Sequence, residues 1–105
     1  MSKVISDAKR ALNRVLAYEQ NQHLVLRDEV ARQMEAANEM VRLGNALTAY
    51  RGRLSKKAVV TAGSDLGSIT LSVEGDETLL EEIKRAKNAA FRLANRFAAN
   101  AAANL

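Results

Sequence analysis

Between Met1 and Leu54 the chain holds no proline, and its first glycine is Gly44. Nothing in that stretch fixes φ against a helix, removes a helical donor or adds much backbone entropy. The apolar residues repeat at helical spacing. Ile5, Ala8, Leu12 and Val15 form one stripe, spaced 3, 4 and 3. Five polar residues, Glu19 to His23, interrupt it without a helix breaker. A second stripe follows at Leu26, Val30, Met34, Ala37 and Val41. A third runs slightly out of phase through Met40, Leu43, Leu47, Tyr50 and Leu54, the seam of a coiled coil or tight bundle. This predicts a long helical arm over 3–54.

The pattern then changes. Ala58, Val60 and Ala62 would share one face of a strand. After Gly63-Ser64-Asp65-Leu66-Gly67, Ile69, Leu71 and Val73 alternate with Ser68, Thr70, Ser72 and Glu74. Two-residue alternation about a glycine-flanked turn predicts an antiparallel β-hairpin over 57–74. Thr78 to Glu81 reads as a capping box, opening a shorter helix over 79–103 with Ile83, Ala86, Ala90, Leu93 and Phe97 on one face. The tail from Asn100 to Leu105 is expected to fray. The expected fold is a single domain, 1–105, mainly α (α+β): long helical arm, antiparallel β-hairpin, shorter C-terminal helix.

Lengths then decide what such a chain needs. An unbroken helix over residues 4–54 would span roughly 75 Å, and the last helix roughly 38 Å. Folded back, the last helix would set Ile83 near Leu54, Ala90 near Leu47, and Leu93 with Phe97 near Met40 and Leu43. It would stop short of Leu26, leaving the stripe Ile5, Ala8, Leu12 and Val15 uncovered. Either the chain bends at Gln20-Asn21-Gln22-His23 into a three-helix bundle, or a second copy covers the stripe in a coiled-coil-like dimer or larger assembly. Hydrophobic residues are 48 % of the chain but aromatics only 4 %. A core so poor in large side chains is thin for its length, which favours self-association.

Composition narrows the chemistry. Cysteine is absent, so there is neither a disulfide nor a thiolate metal site. No apolar run approaches the roughly 20 residues of a membrane span, and Met1 to Asp7 lack a signal-peptide core, so a cytoplasmic protein is expected. The lone histidine, His23, has no second histidine or cysteine to complete a metal site. Ser64 and Ser68 have no base nearby in sequence, and the loop from Gly63 to Gly67 lacks the lysine of a phosphate loop. No catalytic, metal or cofactor site is therefore predicted.

The net charge is +4 and unevenly spread. Residues 1–56 carry ten Lys/Arg against six Asp/Glu, residues 57–78 one against four, and residues 79–105 five against two. Arg51, Arg53, Lys56 and Lys57 form one basic cluster; Lys84, Arg85, Arg92 and Arg96 form a strip on the last helix. These eight residues are the candidate contacts to phosphate or to an acidic protein. Leu66, at the tip of the expected turn, is the candidate partner anchor. The sequence thus predicts a non-enzymatic, self-associating protein that binds another macromolecule, as an adaptor, assembly factor, small chaperone or inhibitor does. The alternative is a nucleic-acid-associated dimer using the basic helical face. With few aromatics to stack bases and no helix-turn-helix signature, the first reading is preferred.

Overall fold

A computed structural model describes the backbone of residues 3–64 and 66–105 and the side chains of residues 3–55 and 77–105. The elements are α1 (Lys3–Gln20), α2 (Gln22–Leu26), α3 (Val30–Ser64) and α4 (Leu66–Ala103). The two long helices pack side by side and antiparallel, and α1 lies along one half of the pair. The molecule is rod-like, 57 × 18 × 18 Å, with a radius of gyration of 16.6 Å.

No strand occurs among the described residues, so the hairpin expected over 57–74 is corrected. The helix α3 runs to Ser64 and α4 starts at Leu66, so Gly63, Ser64, Leu66 and Gly67 of the expected turn are helical. The physical reason is context. Alternation over five or six residues is a weak signal when the flanking helices are already formed. Extending a packed helix adds one hydrogen bond per residue without a new nucleus, whereas a lone two-stranded hairpin is marginal in water. The same continuity carries α4 through Thr78 to Glu81, which is helix interior and not a helix start.

The predicted register of the long pair is found. Leu54, Leu79, Ile83, Leu47 and Ala90 share one core cluster; Ala36, Ala37, Met40, Leu93, Ala94 and Phe97 form the next. Halfway along, Gly44 lets the helices close. A β-carbon there would stand 2.7 Å from Cε1 and Cζ of the Phe91 ring. The buried face of α3 is the third stripe carried backward through Met40, Ala37, Ala36 and Gln33. The second stripe is therefore out of phase with α4, and Met34 and Val41 point outward.

The chain turns at its polar interruption. Asn21 leaves helical geometry (φ −108°, ψ 17°), and its Nδ2 donates to Ala17 O at 3.0 Å. Gln22 Nε2 donates to Glu19 O, also at 3.0 Å. After α2 and the turn through Asp28, α3 runs back antiparallel to α1. A pair of amides, buried Gln33 and half-buried Asn100, holds this corner to α4. Gln33, 2 % exposed, donates through Nε2 to Asp28 O at 2.8 Å. Asn100 Nδ2 donates to Gln33 Oε1 at 2.7 Å and to Leu26 O at 3.1 Å. The last helix thus reaches Leu26, contrary to the length argument, and Asn100 and the buried Ala101 belong to the body of the protein.

The bend also changes the fate of the first stripe. Ala8, Leu12 and Val15 are buried within this chain, together with Ala11, and half-buried Ile5 packs against the same cluster. The reason for assigning Ile5, Ala8, Leu12 and Val15 to self-association was an uncovered stripe; α3 and α4 cover it.

Candidate interaction surface

What α1 buries with one face it leaves open along its edge with α4. The two helices run parallel here and enclose a groove of about 510 Å³. Its floor is apolar and shallow: Leu12 and Leu16 from α1, Ala86 and Ala89 from α4. Leu16, one residue off the buried stripe, is 41 % exposed. Its rim is charged and polar: Glu19 on α1, with Glu82, Arg85, Asn88 and Arg92 on α4. Ala86 and Ala89 are buried in the core beneath the groove. Leu16 supplies apolar area, and the rim supplies charges of both signs.

One end of the groove is tied across the two helices. Arg92 Nη2 donates to Glu19 Oε2 at 3.2 Å, and Arg96 Nη1 donates to Gln22 Oε1 at 2.7 Å. Glu82 and Arg85, at the other end, are exposed and make no ion pair with the described residues.

A second polar cluster lies where α1 meets α3. Arg14 Nε donates to Glu39 Oε2, Tyr18 OH donates to Glu39 Oε1 at 2.7 Å, and the Arg14 guanidinium lies 5.9 Å from the Tyr18 ring centre. The hydrogen bond from Arg14 holds the Glu39 carboxyl below the usual carboxylate range, aided by the Tyr18 hydroxyl and opposed by desolvation. Burial pushes the Tyr18 phenol up, and its bond to Glu39 adds to the effect. The bond to Glu39 also raises the Arg14 guanidinium. These shifts belong to a structural tie between helices, since every member has its partner within the cluster.

The basic residues do not form one surface. Arg92 and Arg96 are engaged by α1 and α2 as above; Lys84 and Arg85 are exposed. Arg53 is exposed, while Arg51 is half-buried, its Nε shielded from solvent without a hydrogen-bond partner among the described residues. Arg51 shares a separate depression with Leu80, Glu77 and Glu81. Acidic residues therefore lie between the Arg51–Arg53 pair and the strip further along α4. The side chains of Lys56, Lys57 and Leu66 lie outside the described residues. His23 is exposed, and among the described residues no three His, Cys, Asp or Glu side chains gather as metal ligands. No described helix is long and apolar enough to cross a membrane.

Sequence reasoning found Arg85 and Arg92 but missed Leu16, Glu19, Glu82, Ala86, Asn88 and Ala89 as their neighbours. Leu16 carried a signal: it is an apolar residue beside the stripe and not on it. The pairing of Glu39 with Arg14 carried none, since Arg42 three residues on offered a local partner. No protein-family model matches this chain, and no curated protein or solved structure matches it.

Proposed function

We propose that this protein is a non-enzymatic, self-associating helical bundle that binds another macromolecule, and that it binds through the α1–α4 groove. The observation that carries this reading is the groove itself: an exposed leucine and two alanines framed by charges of both signs. Such a surface suits a helix or another protein face, not a small substrate. The titratable side chains with shifted equilibria, Arg14, Tyr18 and Glu39, bond to one another in joining α1 to α3, which suits a structural role. Adaptor, assembly factor, small chaperone and inhibitor all fit this mode of action.

A photoreactive amino acid at Leu16 tests it in the native host. Adducts at Leu16, with few at the exposed Asn38 on the outer face of α3, are the expected outcome. Equal labelling at both positions, or none at Leu16, would refute the assignment of the groove. The nucleic-acid alternative draws on Lys84, Arg85, Arg92 and Arg96, which share one helix. Interruption by Glu77 and Glu81, and the engagement of Arg92 and Arg96, weaken it. A mobility shift with duplex DNA and with RNA is expected to show only binding that vanishes near physiological salt. Tight binding at that salt, abolished by charge reversal at Lys84 and Arg85, would promote the alternative.

A further inference from the structure

The corner between α1 and α3 contains nothing that forbids a helix. Between Lys3 and Ser64 only Asn21 and residues 27–29 lie outside α1, α2 and α3, and none of them is glycine or proline. The buried stripes on either side of the corner are also in phase. Counted from Ile5 in strictly alternating steps of 3 and 4, the stripe of α1 passes through Leu12 and Val15 and arrives at Met40, Leu47 and Leu54, core positions of α3. A loop that only reverses the chain sets no such phase, whereas a continuous helix with one buried seam requires it. We propose that this corner opens, that α1, α2 and α3 join into one helix, and that each α1 takes its place on α3 and α4 of a second copy, as a domain-swapped dimer. This deepens the self-association in the proposed function, rests on that half of it, and leaves the groove free for a different partner.

The contacts of the closed chain fix where the two-fold axis passes. Glu39 bonds Arg14 and Tyr18, and one hollow between α1 and α3 sets Ala11 with Leu43 and Asp7 with Tyr50. In sequence each of these pairs is centred on or beside Arg27 and Asp28. Two straightened helices laid antiparallel about an axis at that point bring α1 of one copy onto α3 of the other with every such pair re-formed between copies. The last helix does not obstruct the continuation. It ends at the corner, where Asn100 bonds Gln33.

Closed and open forms thus share their core and differ at the corner. The closed form has side-chain bonds to backbone oxygens there: Asn21 Nδ2 to Ala17 O, Gln22 Nε2 to Glu19 O, and Asn100 Nδ2 to Leu26 O. The open form replaces them with helical N–H to C=O bonds for groups that the ends of α1, α2 and α3 leave outside a helical ladder. One form is a monomer and the other a dimer, so concentration sets which is populated.

Charge exchange between chains tests the swap. Arg14→Glu and Glu39→Arg each set like charges together, in the closed chain and in a homodimer alike. In a swapped heterodimer of the two variants, the substituted positions meet as an opposite pair in one half, and the native Arg14–Glu39 pair forms in the other. Refolded together from urea, the two variants should favour the heterodimer about tenfold over the statistical mixture by native mass spectrometry. A dimer made without exchange keeps each repulsion inside its own chain, so a statistical mixture would overturn the swap and leave self-association standing. A second variant, Val30→Pro, puts proline at the first residue of α3, where the closed chain tolerates it and a continuous helix does not. It should remain helical by circular dichroism and stay at 11.5 kDa by light scattering at concentrations where the refolded wild type has twice that mass. A Val30→Pro variant that dimerises as the wild type does would also overturn the swap alone. A wild type that stays monomeric across the whole concentration series would overturn the swap and the self-association together.

Discussion

Gly44 and Gly52 both sit on α3, and they should respond to the same substitution with opposite signs. Replacing a helical glycine by alanine is worth about 1 kcal/mol of helix propensity. At Gly52 nothing lies within 4 Å of the added β-carbon, so Gly52→Ala should realise that gain. At Gly44 the β-carbon would meet Cε1 and Cζ of Phe91 at 2.7 Å and Cδ1 at 3.1 Å. Ordinary contact between carbons needs about 3.5 Å or more, so the ring must retreat by about 0.8 Å. Phe91 is half-buried against α3 and has only partial room to do so. Overpacking of this kind costs about 1–3 kcal/mol. The net expectation for Gly44→Ala is a loss of about 1 kcal/mol, the midpoint of the clash less the propensity gain. In a Phe91→Ala background the clash disappears, and Gly44→Ala should then stabilise by about 1 kcal/mol. The cycle therefore predicts a coupling of about 2 kcal/mol between the two positions. Urea titration followed by circular dichroism reads all four proteins and the Gly52 control. Gly44→Ala stabilising the wild-type background as much as Gly52→Ala does would refute the close approach of α3 to Phe91.

Three further outcomes follow from named contacts. Asn100→Ala removes the donor shared by Leu26 O and Gln33 Oε1, so it should cost about 1–3 kcal/mol and speed amide exchange near Gln33; unchanged stability would mean the corner is not held from α4. Because the folded pKa of Glu39 is lowered, its stabilisation is complete above the ordinary carboxylate range, near 4.5, and is lost as pH falls through the folded value. Tyr18 acts oppositely: its raised pKa gives stability below about 10 that is lost as pH rises further. Thermal melts should show both limbs, and Glu39→Gln should flatten the acid limb while costing about 1 kcal/mol at neutral pH; an acid limb unchanged in Glu39→Gln would refute the assignment. Leu12→Asp, which buries a charge inside the bundle, should unfold the protein and not merely dissociate it, whereas deletion of Leu105, 95 % exposed, should be silent; a folded, monomeric Leu12→Asp variant would restore the stripe as an outer surface.

The antiparallel register could be read from residue numbers because both partners present long stripes at the same 3, 4 spacing. Fixing one contact, Leu54 with Ile83, fixes Leu47 with Ala90 and Met40 with Phe97. Two features defeated the same reasoning elsewhere. The alternation over 57–74 is local, while the choice between strand and helix there is set by the helices on either side. The phase of the second stripe was misjudged because Gln33 occupies a core position. A polar residue interrupts an apolar count, yet this one is buried with its amide satisfied, Nε2 by Asp28 O and Oε1 by Asn100, 67 residues later. Periodicity counts apolar residues and has no means of recognising a satisfied amide.

The interaction surface was harder to read for a related reason. The sequence argument asked which apolar stripe lacked a partner, and it measured helices as if α1 and α3 were one. Once the chain bends at Asn21, the stripe of α1 has two faces to lie on, and both α3 and α4 take a share. What is then left open is not a stripe but an edge, composed of residues flanking the buried ones: Leu16 beside Val15, Asn88 beside Ala89, Glu82 beside Ile83. Each looks unremarkable in its own helix. Their meaning comes from the parallel alignment of α1 with α4, which places Glu19 opposite Arg92 and encloses the groove between them. The predicted need for association therefore shifts from the buried stripe to its margin. A three-helix bundle of this length, rod-like and rich in alanine, covers its own core and still exposes an edge that carries Leu16 and charges of both signs, the face proposed for binding.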